Sequence, residues 1–180
     1  MLNPKKISAR QVMNADVQTL HEASPIKEAI LTLREYNITG APVVNDSGEC
    51  IGVFSSTDVL ELDAETEERE TPVAGSYFNV DPLEEETEGY FSREEYDLNV
   101  LGRDTVGQRM NSQIQAAAPD SSLERVCQSM LNERIHRVLV MEDRKLLGII
   151  SSFDVVRFVA GEASQKLPRP GNKKSGASQA

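Results

Sequence analysis

The sequence predicts an α+β fold made of two copies of one small unit that pack against each other. Two observations carry this expectation. The chain matches itself at a fixed offset, and each copy runs from a helix through a strand hairpin into a second helix. Ser8–Leu20 aligns with Thr105–Ala117 at an offset of 97, pairing Gln11 with Gln108, Met13 with Met110, Asn14 with Asn111 and Gln18 with Gln115. The same offset pairs Ser24 with Ser121, Ile38 with Ile135 and Asp46 with Asp143. One residue is then lost in a turn, and at an offset of 96 Gly52, Ser55, Asp58 and Val59 match Gly148, Ser151, Asp154 and Val155. Matches in one order with one deletion are not expected by chance.

Each element has a local cause. Ser24 and Pro25 open the first helix, with Ser as N-cap and Pro at the first helical position. Ile26, Ala29, Ile30 and Leu33 then recur at helical spacing on one face. In the second copy Ser121 or Ser122 is the cap, and Leu123, Val126, Cys127 and Met130 repeat the stripe. Next come two short apolar runs, 41–44 and 50–54, around the turn Asn45–Gly48. The second copy has 138–141 and 146–150 around the shorter turn Glu142–Lys145. A last helix follows each motif Asp, from Val59 onward and from Val155 to about Ala160. One copy of roughly fifty residues buries too little surface to stand alone, so the copies should share a core.

This divides the chain into repeat one (1–60), an insertion (61–103), repeat two (104–163) and a tail (164–180). The formal charge of −10 belongs largely to the insertion, which holds 14 acidic and two basic residues between Glu61 and Asp97. It also carries Tyr77, Phe78, Tyr90, Phe91 and Tyr96, and Ser92 to Glu95 reads as a capping box. Acidity argues for a solvated segment and clustered aromatics argue for docking on a partner; both readings stand. The tail is rich in Pro, Gly and Ser and reads as disordered.

The same residues exclude several classes of function. No basic stripe marks a nucleic-acid surface. No apolar run reaches the roughly 18 residues that span a bilayer, and the N-terminus lacks a signal-peptide core. Cys50 and Cys127 read as reduced core thiols, which fits the cytoplasm. His21 and His136 lie in different copies, and with the two cysteines they form no metal-ligand cadence. With no nucleophile elbow, zinc motif or P-loop, the chain is expected not to be an enzyme and to need no cofactor.

The paired patterns Gly52-x-x-Ser55-x-x-Asp58 and Gly148-x-x-Ser151-x-x-Asp154, with Ile135 to Val140 ahead of the second, resemble the cystathionine-β-synthase (CBS) domain family. The resemblance covers both repeats and stops at the insertion and tail. It implies two β-α-β-β-α repeats related by a pseudo-two-fold axis, with two clefts for adenosyl ligands such as AMP, ADP, ATP or S-adenosylmethionine. Under it Asp58 and Asp154 accept from ribose hydroxyls, one in each cleft, and charge-assisted bonds of this kind are strong. Ser55 or Ser151, at a helix start, donates to phosphate where the helix dipole favours an anion. Ser24 and Ser121 are implied near the adenine of the cleft opposite their own repeat. The same Ser and Asp spacing also suits plain helix capping.

The two clefts should differ. Arg134, His136 and Arg137 approach the first hairpin strand of repeat two, where repeat one offers Asn37, Thr39 and Gly40. Phosphate should therefore bind better beside Ser151 and Asp154, and protonation of His136 as pH falls towards about 6 should add to this. The same cations also suit a solvated helix end. The expected function is a homodimeric regulatory module that senses an adenine nucleotide and signals to a partner protein. The alternative is a ligand-free interaction module working through the acidic insertion.

Overall fold

The computed structural model describes residues 3–59 and 104–161. The insertion with its Ser92 capping box, and the tail from residue 164, lie outside the described residues. The first unit holds β1 (Leu20–His21), α2 (Ile26–Glu35), β2 (Gly40–Val44), β3 (Cys50–Ser55) and a helix α3 beginning at residue 56. The second holds β4 (Ala116–Ala117), α5 (Leu123–Glu133), β5 (Arg137–Glu142), β6 (Lys145–Ser151) and α6 (Ser152–Val159). Short lead helices, α1 (Ala9–Val12) and α4 (Val106–Arg109), precede them. Each unit is thus β-α-β-β-α around a three-stranded sheet, with the first strand parallel to the second and the hairpin antiparallel.

The helical stripes bury as their spacing requires. Ile26, Ala29, Ile30 and Leu33 of α2 are buried, as are Leu123, Val126 and Met130 of α5. Cys127 stays half-buried, so it packs at the rim of the core and not inside it. The cap assignment divides. Ser122 accepts from the backbone N–H of Arg125 at 3.3 Å, whereas α2 starts one residue later than its sequence suggests, with Pro25 in the cap position and no side-chain cap bond. Both helices end through a left-handed residue, Asn37 at φ 49° and Arg134 at φ 52°. The next residues then bond back, Ile38 N–H to Leu33 and Ile135 N–H to Met130, both at 2.9 Å. The β5–β6 turn uses Asp143 and Arg144, both at positive φ, the form whose twist matches a hairpin.

The lead segments are exchanged. Val106 of α4 is fully buried in the core formed by Leu20, Ile26, Leu33 and Phe54 of the first unit. Ala9 and Val12 of α1 are buried with Leu123, Leu139 and Ile150 of the second. Backbone bonds repeat this exchange as mirror pairs. Val106 N–H donates to Ser24 O and Ala9 N–H to Ser121 O, at 2.9 and 2.8 Å. Ile26 N–H donates to Asp104 O and Leu123 N–H to Ile7 O, at 3.3 and 2.8 Å. Each bond is the image of its partner at the offset of 97, which is the pseudo-two-fold axis written in hydrogen bonds.

The exchange also explains the first position of the repeated motif. Asn111 pairs with Val53, and Asn14 with Ile149, so each lead segment extends the other unit's sheet. The strand residue beneath is glycine in both cases. A Cβ on Gly52 would lie 2.7 Å from the Asn111 carbonyl oxygen and 2.7 Å from Met110 Sδ. On Gly148 it would meet Asn14 O and Met13 Sδ, each at 2.8 Å. Only a residue without a side chain admits the neighbour this closely.

The last helix behaves differently from the others. No residue of α6 is fully buried, and Val156 and Val159 are each 62% exposed. No helix among the described residues is long and apolar enough to cross a membrane.

Candidate functional site

In each unit the motif lies where the last strand turns into the last helix. β6 ends at Ser151, whose side chain caps the helix that follows, and β3 ends at the matching Ser55. Asp58 Oδ2 accepts from Ser55 N–H at 2.6 Å and from Ser55 Oγ–H at 2.8 Å. Asp154 Oδ2 accepts from Ser151 N–H at 2.8 Å and Ser151 Oγ–H at 2.5 Å, and Asp154 N–H donates back to Ser151 Oγ at 3.1 Å. At the second motif this is a reciprocal capping box, which supplies both partners' polar needs locally.

The capping geometry changes what each side chain can offer a ligand. With its proton on the carboxylate, the serine hydroxyl can accept but cannot also donate to phosphate. The carboxylate uses one oxygen for the cap, and Asp154 Oδ1 lies outside it. The capping geometry leaves the second oxygen of Asp154 outside the cap, and both serine hydroxyls donate to their own aspartates.

The neighbours of each motif stand across the hairpin. The first helical N–H is already used, Ser56 donating to Thr39 O and Ser152 to His136 O, both at 2.9 Å. Arg137 is the antiparallel partner of Ser151, and Gly40 is the partner of Ser55. Directly opposed residues share a sheet face with Cβ atoms about 5 Å apart. An arginine therefore stands opposite Ser151 of the second motif, while the equivalent place in the first, Gly40, has no side chain. His136 corresponds to Thr39, which is buried, with a hydroxyl that has no hydrogen-bond partner.

Of the remaining expected residues, Ser24 and Ser121 sit half-buried at the seam, their carbonyls taken by the opposite lead helix. Arg134 is exposed and serves as the left-handed cap of α5, next to but outside the hairpin. Exposure separates the two motifs further. Ser55, Ser56 and Thr57 are buried, whereas Ser151 to Asp154 are each partly exposed. Sequence reasoning missed the part played by Met13 and Met110. Their match at one offset was visible, but which glycine they cover depends on the exchange of segments. Burial pushes the Cys50 and Cys127 thiols up from the ordinary value of 9.0, and a backbone hydrogen bond with Gly52 partly opposes this for Cys50.

A family model described as CBS domain matches residues 9–65 and 106–161, more than half of the chain. The chain belongs to the CBS domain family. It is 26% identical over 163 residues to the uncharacterized protein MJ1225 of Methanocaldococcus jannaschii, covering 91% of this chain and 46% of that protein. The chain thus spans less than half the length of that relative. The crystal structure of CBSX2 in complex with AMP has a TM-score of 0.61 at 23% identity, covering 86% of this chain and 97% of that one. The CBS domain pair of protein MJ0100, in complex with 5′-methylthioadenosine and S-adenosyl-L-methionine, has a TM-score of 0.57 at 20% identity over the same shares. Relatives with enzyme names share only a part with this chain: the L-aspartate semialdehyde sulfurtransferase match covers 12% of that enzyme.

Proposed function

We propose that this CBS pair is a regulatory module that binds an adenosine nucleotide and passes the resulting change to a partner protein. The observation that carries the reading is the doubled motif. Two aspartates, Asp58 and Asp154, sit at the same strand-to-helix turn, each rigidly held by its own serine. Fixed carboxylates of this kind suit a vicinal diol, and the solved relatives with AMP and S-adenosylmethionine support the ligand class. Ser24 and Ser121 at the seam line the adenine end. Arg137, with His136 and Arg134 nearby, receives phosphate.

The module acts as a homodimer in the cytoplasm. Support for the dimer comes from α6, whose Val156 and Val159 are exposed and which has no fully buried residue. Burying such side chains against a second copy would remove apolar surface from water. Residues 1–60 and 104–163 form the two repeats, and the acidic segment 61–103 is an insertion between them.

A ligand-free interaction module is the second reading. It is favoured by one observation, that both serine hydroxyls already donate to their own aspartates. Thermal shift with AMP, ATP and S-adenosylmethionine separates the two. A ligand at 100 times its Kd adds about 2.7 kcal/mol to the folded state. For a chain of this size that raises the melting temperature by roughly 5–10 °C. No shift with any of the three at millimolar concentration would leave the interaction module as the function.

A further inference from the structure

Met13 and Met110 are a matched pair of sulfurs, one in each copy, and each is laid across the seam between the units. We propose that they form a paired oxidation site: a peroxide converts each thioether to its sulfoxide, and the sulfoxide loosens the lead segment from the other unit's sheet. This needs no nucleotide and stands apart from the adenosine reading.

Each methionine closes a lead helix, Met13 N–H donating to Ala9 O at 2.9 Å and Met110 N–H to Val106 O at 2.8 Å. The asparagine that follows then joins the opposite sheet through two backbone bonds. Asn14 pairs with Ile149 at 2.8 and 2.9 Å, and Asn111 with Val53 at 2.9 Å in both directions. The side chain between helix and bridge crosses a glycine. Met110 Sδ and Cγ lie 2.7 and 3.2 Å from where a Gly52 Cβ would stand. For Met13 over Gly148 the distances are 2.8 and 2.9 Å. The thioether thus lies along the glycine, in a space that one added carbon would overfill.

Exposure and packing point to oxidation at this place. Both methionines are only partly buried, so a small oxidant reaches them, whereas Met130 is 7% exposed within the core. Their other neighbours are apolar. Met13 packs on the cluster of Val12, Leu139 and Ile150, and Met110 on that of Leu20, Ile26 and Phe54. In the reaction the sulfur gives an electron pair to one oxygen of hydrogen peroxide. The O–O bond breaks, the sulfur is oxidised to the sulfoxide, and the second oxygen leaves as water. A flexible apolar atom has then become a strongly polar one. Seated against these clusters, it must either lose its water without a partner or draw the segment outward. The next residue is Asn14 or Asn111, so the strain falls on the backbone pairs that hold the exchange. Each unit carries one such point.

The test treats the full chain with hydrogen peroxide and then reduces its thiols. Peptide mass mapping reads the oxidised sites, and a circular-dichroism melt reads stability. The comparison chain carries Met13→Leu and Met110→Leu, which keep volume and apolarity but place no sulfur at the seam. Its melt before treatment checks that it folds. Met13 and Met110 should each gain one oxygen, about 16 Da, at least tenfold faster than Met130. The unaltered chain should then melt roughly 5–15 °C lower, and the leucine chain within about 2 °C of its untreated value. A methionine sulfoxide reductase should restore the loss. Should the double variant not fold, each single leucine variant gives the same reading with about half of the loss protected. The proposal is overturned if the leucine chain falls as far as the unaltered one, which would place the effect at Met141 or the cysteines. It is equally overturned if Met13 and Met110 gain oxygen and the melting temperature holds, or if they stay unmodified while Met141 is oxidised.

Discussion

Replacing Gly52 with alanine tests the exchanged lead segment at its tightest point. The added Cβ would sit 2.7 Å from the Asn111 carbonyl oxygen, so the segment must retreat by about 0.7 Å to reach ordinary contact. Met110 is flexible and can move its Sδ aside. The carbonyl cannot, because Val53 N–H donates to it and Asn111 N–H donates back to Val53 O, both at 2.9 Å. Overpacking of this kind costs typically 1–3 kcal/mol, and weakening the two backbone bonds adds about 1 more, giving a total of about 2–4 kcal/mol. For a chain of this length that is a fall in melting temperature of roughly 5–15 °C. The assay is thermal unfolding followed by circular dichroism, with Gly48→Ala as a control. Gly48 has φ +72° and nothing within 4 Å, so its substitution reports left-handed strain without a clash. Adding Met110→Ala to Gly52→Ala should recover only the thioether part of the loss. A Gly52→Ala protein within about 0.5 kcal/mol of the unaltered chain, the range of neutral surface changes, would refute the close approach.

Other expectations can be checked with equal directness. Asp154→Ala should lose about 0.5–2 kcal/mol of stability through its cap, besides any ligand affinity, whereas Asp154→Asn should keep most of that stability; denaturant titration separates the two. Arg134→Gly relieves a left-handed residue at φ 52° and should stabilise the fold by about 1 kcal/mol, read from the urea midpoint. Ser122→Ala removes the acceptor for Arg125 N–H and should cost about 1 kcal/mol in the same measurement. Because burial raises the Cys50 and Cys127 pKa values in the folded state, their contribution to stability is intact below the ordinary 9.0 and declines as pH rises beyond it. Thiol labelling at pH 8 should accordingly be slow for Cys50 in the folded chain and fast in urea.

Much of this architecture was legible from local chemistry. The apolar stripes of α2 and α5, the hairpins and the Ser-to-Asp turns follow from spacing and capping, which act over a few residues. The 97-then-96 register also exposed the unequal residues beside the two motifs, since Thr39 and Gly40 align with His136 and Arg137 whatever the fold does. Two features were not legible. The helix starts at residues 56 and 152 lie three residues before the apolar run that suggested them, because the capping box sets the start and not the hydrophobic face. The second is that both serine hydroxyls donate to their own aspartates, since the spacing alone suits capping and a ligand equally.

Tertiary structure decided the rest. The repeat shows that Met13 and Met110 are equivalent, but not that each lies across the other unit's glycine. Exchange is a choice between two ways of closing the same bonds, and a sequence that repeats itself offers both. Burial decided the difference between the motifs in the same way: Ser55 and Ser151 are the same residue in the same local turn, yet one is buried and the other partly open. What the sequence by itself determined is the unit, its doubling and the charges beside each motif, because these depend on neighbours along the chain. Which unit each lead segment completes, and which motif serine is shut from water, depend on contacts between residues about a hundred positions apart, and only the packed core settles those.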